Sequence, residues 1–169
     1  MLKERTGTVA DLTRMWDIRT AAIRLSFASH YEARVMEVMC DTPPPPSMHL
    51  LISLGGARVI EEDQHMVGYA ILDIHTGEVD AVFVEPEHQG RGIALRLLHS
   101  LEAIALEHQR NRLFLSSSLN AVRFYKRAGF AAIREEIYPH RSGLGIASVY
   151  MEKHLSAAAI ETRRELAGI

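Results

Sequence analysis

At 169 residues, 47% of them apolar, the chain is long enough for one domain with a full hydrophobic core. Nineteen basic against twenty-one acidic side chains leave a net charge of −2, which argues against a general nucleic-acid or membrane surface. The single cysteine, Cys40, cannot close an internal disulfide, and no run approaches the ~18–20 apolar residues of a membrane span. With no early run resembling a signal peptide, the expectation is a cytoplasmic protein.

Residues 2–5 read as a first strand. A helix is expected over residues 10–27, where Leu12, Met15, Trp16, Ile18, Ala22 and Ile23 form a broad apolar face. Ser29-x-x-Glu32 has the form of a capping box, so a second helix should start there and turn Val35, Met36 and Met39 inward. Residues 43–46 are four prolines, expected to form an extended, non-helical connection. Residues 48–54 suit either a short helix or a strand, and Gly55-Gly56 ends them. Residues 58–62 and 66–73 flank Asp63-Gln64 as a hairpin.

His75-Thr-Gly77 then leads into a Val-rich strand over residues 78–84, which Pro86 ends because proline cannot donate to a ladder. Ile93, Leu97, Leu98, Leu101, Ile104 and Ala105 recur at helical spacing over residues 93–108. A strand over residues 113–116, a helix over 120–128 closed by Gly129, and a hairpin of 131–138 with 146–154 complete the pattern. The fold class is α/β in the α+β sense: a mixed sheet of about six to seven strands flanked by helices. One domain should span residues 1–155. The tail, 156–169, reads as a helix that docks, self-associates as in a homodimer, or frays.

The chemistry concentrates between the Val-rich strand and the helix after it. Two glycines in Gln89-Gly-Arg-Gly-Ile-Ala94 stand where a helix begins, and free N–H groups there form an anion site. A dinucleotide fingerprint needs a third glycine where Leu95 stands, and an acid after the next strand, which is missing. No G-x-x-x-x-G-K-[ST] run exists either. Further on, Ser118-Leu-Asn-Ala-Val-Arg-Phe-Tyr-Lys-Arg-Ala-Gly-Phe130 places an Asn at a helix start, a Tyr on it and Gly-Phe at its end.

Together, Gln-x-x-Gly-x-Ala after a strand and this Asn–Tyr–Gly-Phe pattern resemble the GNAT superfamily of N-acetyltransferases, and Tyr150-Met-Glu-Lys-His-Leu155 resembles its closing strand. The resemblance implies acetyl-CoA as cosubstrate, with no metal. It also implies that the backbone of Val82, Phe83 and Val84 pairs with the pantetheine amides, and that Gln89, Gly90, Arg91, Gly92, Ile93 and Ala94 receive the pyrophosphate. Arg91 can equally be a solvated loop charge. Asn120 is expected to touch the pantetheine arm, a role compatible with helix capping, and Phe124 lies beside it. Tyr125 would reach the coenzyme sulfur and either donate a proton or hydrogen-bond to the leaving thiolate.

An alkyl amine with a pKa near ~10.4 arrives protonated at neutral pH and needs a base. Glu78 lies eleven residues before Gln89, a spacing at which some family members carry a glutamate base. Asp80 shares its strand face by period-two alternation and is the reserve candidate. His30 and Tyr31 fall where the family builds its acceptor pocket, and acceptor selectivity is assigned to the loops 26–47 and 138–145. The nine histidines are scattered, without metal-ligand spacing. The expected function is transfer of an acetyl group to a primary amine of a small molecule or peptide in a ternary complex. The alternative is a non-catalytic acyl-CoA-binding module. Neither reading involves a nucleic acid or a membrane.

Overall fold

Turn chemistry decides where the first sheet begins. In the computed structural model, which describes residues 1–168, Asp63 and Gln64 both take positive φ, 50° and 68°. That is the handedness a two-residue hairpin turn requires. It joins β2 (Ala57–Glu62) to β3 (His65–Leu72). β1 (Leu2–Thr6) pairs with the far edge of β2, and β4 (Val79–Val84) pairs with β3, so β1-β2-β3-β4 is an antiparallel meander. From Met66 onward every residue of β3 is buried, because both faces of this sheet are covered.

On one face Val67, Ala70 and Leu72 meet Leu97, Leu98 and Leu101 of α4 (Ile93–Glu107). On the other, Tyr69 and Ile71 meet Met15 and Ile18 of α1 (Leu12–Ser26), with Met48 and Ile52 of α3 (Pro46–Ser53). Each fully buried aliphatic side chain contributes roughly 1.5–3 kcal/mol. Ile93, buried in the same cluster, holds the first turn of α4 against the sheet.

β5 (Arg112–Ser118), β7 (Gly145–His154) and β6 (Ala131–Pro139) form a second antiparallel sheet in that order. The two sheets touch at one parallel bridge, Glu78 to Phe114, where Phe114 N–H donates to Gly77 O at 3.2 Å. Gly77 (φ 87°) is needed there, since a side chain would meet Arg112 O at 2.5 Å. Beyond this point β4 and β5 run parallel but no longer pair, so a cleft opens between them. The sheet is mixed through this single bridge only.

Three local expectations are corrected. Residues 43–45 are extended, but Pro46 is the first residue of α3, with Pro45 as N-cap. Proline at that position loses only an N–H that has no intrahelical partner. Ser29 does not cap α2 (Ala33–Asp41): Glu32 is the N-cap, and the N–H groups of His30 and Tyr31 still bond to Phe27 O in the turn that ends α1. Asn120 lies inside a 3₁₀ turn (Leu119–Ala121) ahead of α5 (Val122–Arg127) and caps neither. Gly129, with φ 97°, follows α5 as expected. The tail forms α6 (Ala157–Ala167), tied to α4 by Arg163 and Glu102 at 2.6 Å. Ile169 lies outside the described residues. Among these, no helix is long and apolar enough to cross a membrane.

Candidate active site

The cleft between β4 and β5 continues into a cavity of about 1140 Å³ that reaches α1, the loop after it and the β6–β7 connection. One wall is the free edge of β4. Glu85 N–H donates to Val67 O at 2.8 Å, so Gly68 and Val84 form a non-hydrogen-bonded pair, as do Ala70 and Val82 two residues back. The main-chain groups of Val82 and Val84 therefore point off the sheet into the cleft. Those of Phe83 are spent on β3, and its ring packs 5.9 Å from Tyr69.

Gln89 anchors the loop at the end of this edge, its Nε2 donating to Val84 O at 3.2 Å. Gly90 and Gly92 have φ of 75° and 77°, and Gly92 is the N-cap of α4. This left-handed backbone turns the next N–H groups outward. Those of Gly90, Arg91 and Gly92 meet no backbone carbonyl among the described residues. Those of Ile93 and Ala94 are first-turn donors without intrahelical partners. The result is a cradle of donors at the positive end of a fifteen-residue helix. Arg91 is not part of it. Its guanidinium makes bidentate bonds to Glu62 at 2.7 and 2.9 Å, holding that carboxyl well below the usual range. The side chain braces the loop against the end of β2.

Across the cleft, Asn120 Oδ1 and Ser148 Oγ are buried without a partner among the described residues. Both residues line the cavity. Two orphaned polar atoms on one wall are a demand for a polar ligand. Tyr125 is 8% exposed, edge-on to Phe124 and Phe130 at 5.1 and 5.5 Å. Burial pushes its phenol well above the ordinary range, so the proton stays on.

Glu78 and Asp80 line the far end of the same cavity. Strict alternation from Val84 and Val82, which pack toward α4, would turn Asp80 into that core. Instead Leu72 pairs with Val79 and Ile71 with Ala81, leaving Asp80 as the extra residue of a β-bulge. The bulge re-aims it toward the side of Ala81, Phe83 and Tyr69. Asp80 is solvent-accessible by area yet surrounded by protein, because the surface it exposes is cavity wall. Desolvation first, then Asp73, raises its pKa. Desolvation, Asp80 and Asp73, in that order, raise that of Glu78.

Several side chains here were not singled out from the sequence. Tyr138 on β6 lies near both acids, which together with burial raise its phenol. Arg19 is a basic residue on the buried stripe of α1, between Met15 and Ile23, and that position was a legible signal. Arg141 and His140 reach the cavity from the β6–β7 connection. Tyr31, expected at an acceptor pocket, lines the cavity but is also a clamp: its hydroxyl donates to Ala147 O at 2.6 Å and accepts from Leu119 N–H at 2.9 Å.

A strand edge, a donor cradle at a helix start and a splayed second sheet define an acyl-transferase architecture. A family model described as the acetyltransferase (GNAT) domain matches residues 55–155. The chain therefore belongs to the GNAT acetyltransferase family. No curated protein matches its sequence. Among solved structures it resembles a GCN5-related N-acetyltransferase from Rhodopseudomonas palustris (TM-score 0.80, 22% identity, 90% of this chain and 95% of that one). The PaiA N-acetyltransferase of Thermoplasma acidophilum, in complex with coenzyme A, is also similar (0.70, 18%, 91% and 99%). So is YncA of Salmonella typhimurium, with its cofactor acetyl-CoA (0.66, 20%, 92% and 95%). At these identities the likeness establishes the fold.

Proposed function

We propose that the protein transfers an acetyl group from acetyl-CoA directly to a primary amine of a small molecule or peptide, both substrates being bound in the one cavity. The observation that carries this reading is the continuity of donors: the open edge of β4 at Val82 and Val84 leads straight into the N–H cradle from Gly90 to Ala94. An extended amide-bearing arm ending in a pyrophosphate matches that sequence of groups, with Asn120 and Ser148 as further polar partners. The CoA-bound relatives support the same assignment.

Acetyl-CoA supplies the thioester acyl group and a thiolate leaving group. The chain supplies the proton traffic. Glu78, with Asp80 in reserve, takes the proton from the ammonium form of the acceptor, directly or through a water; their raised affinities for protons suit a base working nearer neutrality than an ordinary carboxylate. Tyr125 keeps its proton and offers it as a hydrogen bond to charge developing on sulfur. Thermal melts and a free-thiol assay test the reading. At a hundredfold excess over the dissociation constant, acetyl-CoA should stabilise the fold by about 2.7 kcal/mol, and NAD should not. Amines should then release free coenzyme A. Stabilisation without turnover of any amine would return the protein to a non-catalytic binding module.

A further inference from the structure

We propose that the acceptor is a free amino acid with an apolar side chain, its carboxylate received by Arg19 and Arg141 while its amine faces Glu78 and Asp80. This rests on the transferase reading and names its substrate class.

The argument starts from an uncompensated charge. Arg19 is 6% exposed, in the middle of α1. Its guanidinium donates to Met39 O at 2.7 Å and lies 4.1 Å over the Trp16 ring, but no carboxylate pairs with it among the described residues. A buried cation left this way is costly, and arginine is seldom buried without an anionic partner. Arg19 also lines the cavity, so a partner can arrive from there.

A second cation converges on the same place. Arg141 lines the cavity from the β6–β7 connection and also has no acidic partner among the described residues. The two arginines are near enough that Arg141 adds to the burial that lowers Arg19, and both add to the burial that lowers His140. His140 also lines the cavity, its Nδ1 held 2.8 Å from Ser142 Oγ. Arg141 is exposed and hydrated, but with the buried Arg19 it presents two guanidinium groups to one cavity with no acid paired to either among the described residues, a setting that favours an anion there. The guanidinium fork fits a carboxylate.

The same cavity is also lined by acids. Glu78 and Asp80 have no cationic partner among the described residues, so neither arginine neutralises them. Tyr69, fully buried, lies within range of both signs: Asp80 adds to the burial that raises its phenol, and Arg19 opposes it. Positive and negative groups that share a cavity without pairing to each other complement a zwitterion rather than a plain amine. The lining also includes Trp16, Phe27, Met39 and Met48, which suits an apolar side chain.

The test compares matched pairs with the full chain and saturating acetyl-CoA: L-phenylalanine against phenethylamine and L-phenylalaninamide, and L-leucine against 3-methylbutylamine. The amino acids should show kcat/KM at least about tenfold higher. Arg141→Ala, on an exposed loop, should raise KM for the amino acids far more than it lowers kcat and should shrink their advantage. Arg19→Met should do the same, with Arg19→Lys recovering part of it, while the thermal shift with acetyl-CoA stays as in wild type. Decarboxylated or amidated amines that perform as well as the amino acids, or a preference that survives both Arg141→Ala and Arg19→Met, overturn the proposal while leaving the transferase standing. If no compound in either series is acetylated, this inference falls; the transferase reading falls with it only if a wider panel of amines and peptides also releases no free coenzyme A.

Discussion

Glu78 and Asp80, at the start of β4, show how a backbone irregularity becomes chemistry. Without the bulge, alternation would press Asp80 into the α4 core, where a carboxylate could neither ionise nor meet an acceptor. With it, Glu78 and Asp80 share a desolvated wall and hold their protons to higher pH than free carboxylates do. The turnover rate should therefore rise through one apparent pKa above the usual carboxylate range, a property of the pair. Glu78→Gln should lower kcat most at low pH and least near the amine's own pKa, where solvent supplies free base. Equal, pH-independent losses in Glu78→Gln and Asp80→Asn would remove both from the role of base. Stability follows with a definite sign. A carboxyl whose folded pKa is raised binds more protons in the native state, so the fold loses stability as pH rises from the unfolded to the folded pKa. Asp80→Asn should raise the melting temperature at neutral pH, and the gain should vanish below about pH 4. Tyr125→Phe removes only a hydroxyl from a ring packed between Phe124 and Phe130. It should keep acetyl-CoA affinity and lower kcat, by up to about 10²-fold if the bond to sulfur matters.

At the level of elements, what the sequence disclosed was what local rules govern. Asp63-Gln64, Pro86 and Gly129 punctuate the chain where turn chemistry says they must, and α4 carries its apolar stripe in full view. Locality also misled. Ser29 and Glu32 have capping-box spacing, but the turn out of α1 holds the N–H groups of His30 and Tyr31 between them, and α2 starts later, with Glu32 itself as N-cap. The four prolines look uniformly non-helical, yet the last fits the first position of α3. Arg91 could be read locally as a phosphate contact or as a solvated charge; the residue that holds its guanidinium, Glu62, is twenty-nine positions away and no local rule points to it. If Arg91 acts as a brace, Arg91→Ala and Glu62→Gln should each weaken acetyl-CoA binding by no more than about fivefold, and the double variant should be no worse than either single one. A loss of about tenfold or more in Arg91→Ala alone, with Glu62→Gln unchanged, would mean the guanidinium leaves Glu62 for the phosphates when ligand binds.

The molecule as a whole is two sheets hinged at Glu78 and Phe114, and what holds the second sheet to the first is least legible of all. The cavity wall at Tyr31 depends on its hydrogen bond to Ala147, 116 residues away, which no motif announces. The same is true of the clasp on the far side of α4. Glu102, fully buried, accepts from Lys153 of β7 at 2.5 Å and from Arg163 of α6 at 2.6 Å. Lys153 also donates to Ala128 O at 2.6 Å, at the end of α5. One carboxylate thus joins α4 to β7 and α6, and through Lys153 to α5, on a side of the protein that does not line the cavity. Removing one member of a buried ion pair leaves the other charge unsatisfied, so Glu102→Gln should cost about 3–5 kcal/mol, read as a lower urea midpoint at unchanged slope. Replacing both members, Glu102→Leu with Lys153→Met, should recover most of that loss, because no buried charge remains. A chain ending at Ser156 removes α6 but, of the clasp itself, loses only the partly exposed Arg163 and keeps the Lys153 bond, so it should cost about 1 kcal/mol and leave acetyl-CoA binding unchanged. A truncation as damaging as Glu102→Gln would instead assign the clasp to the packing of α6 on α4.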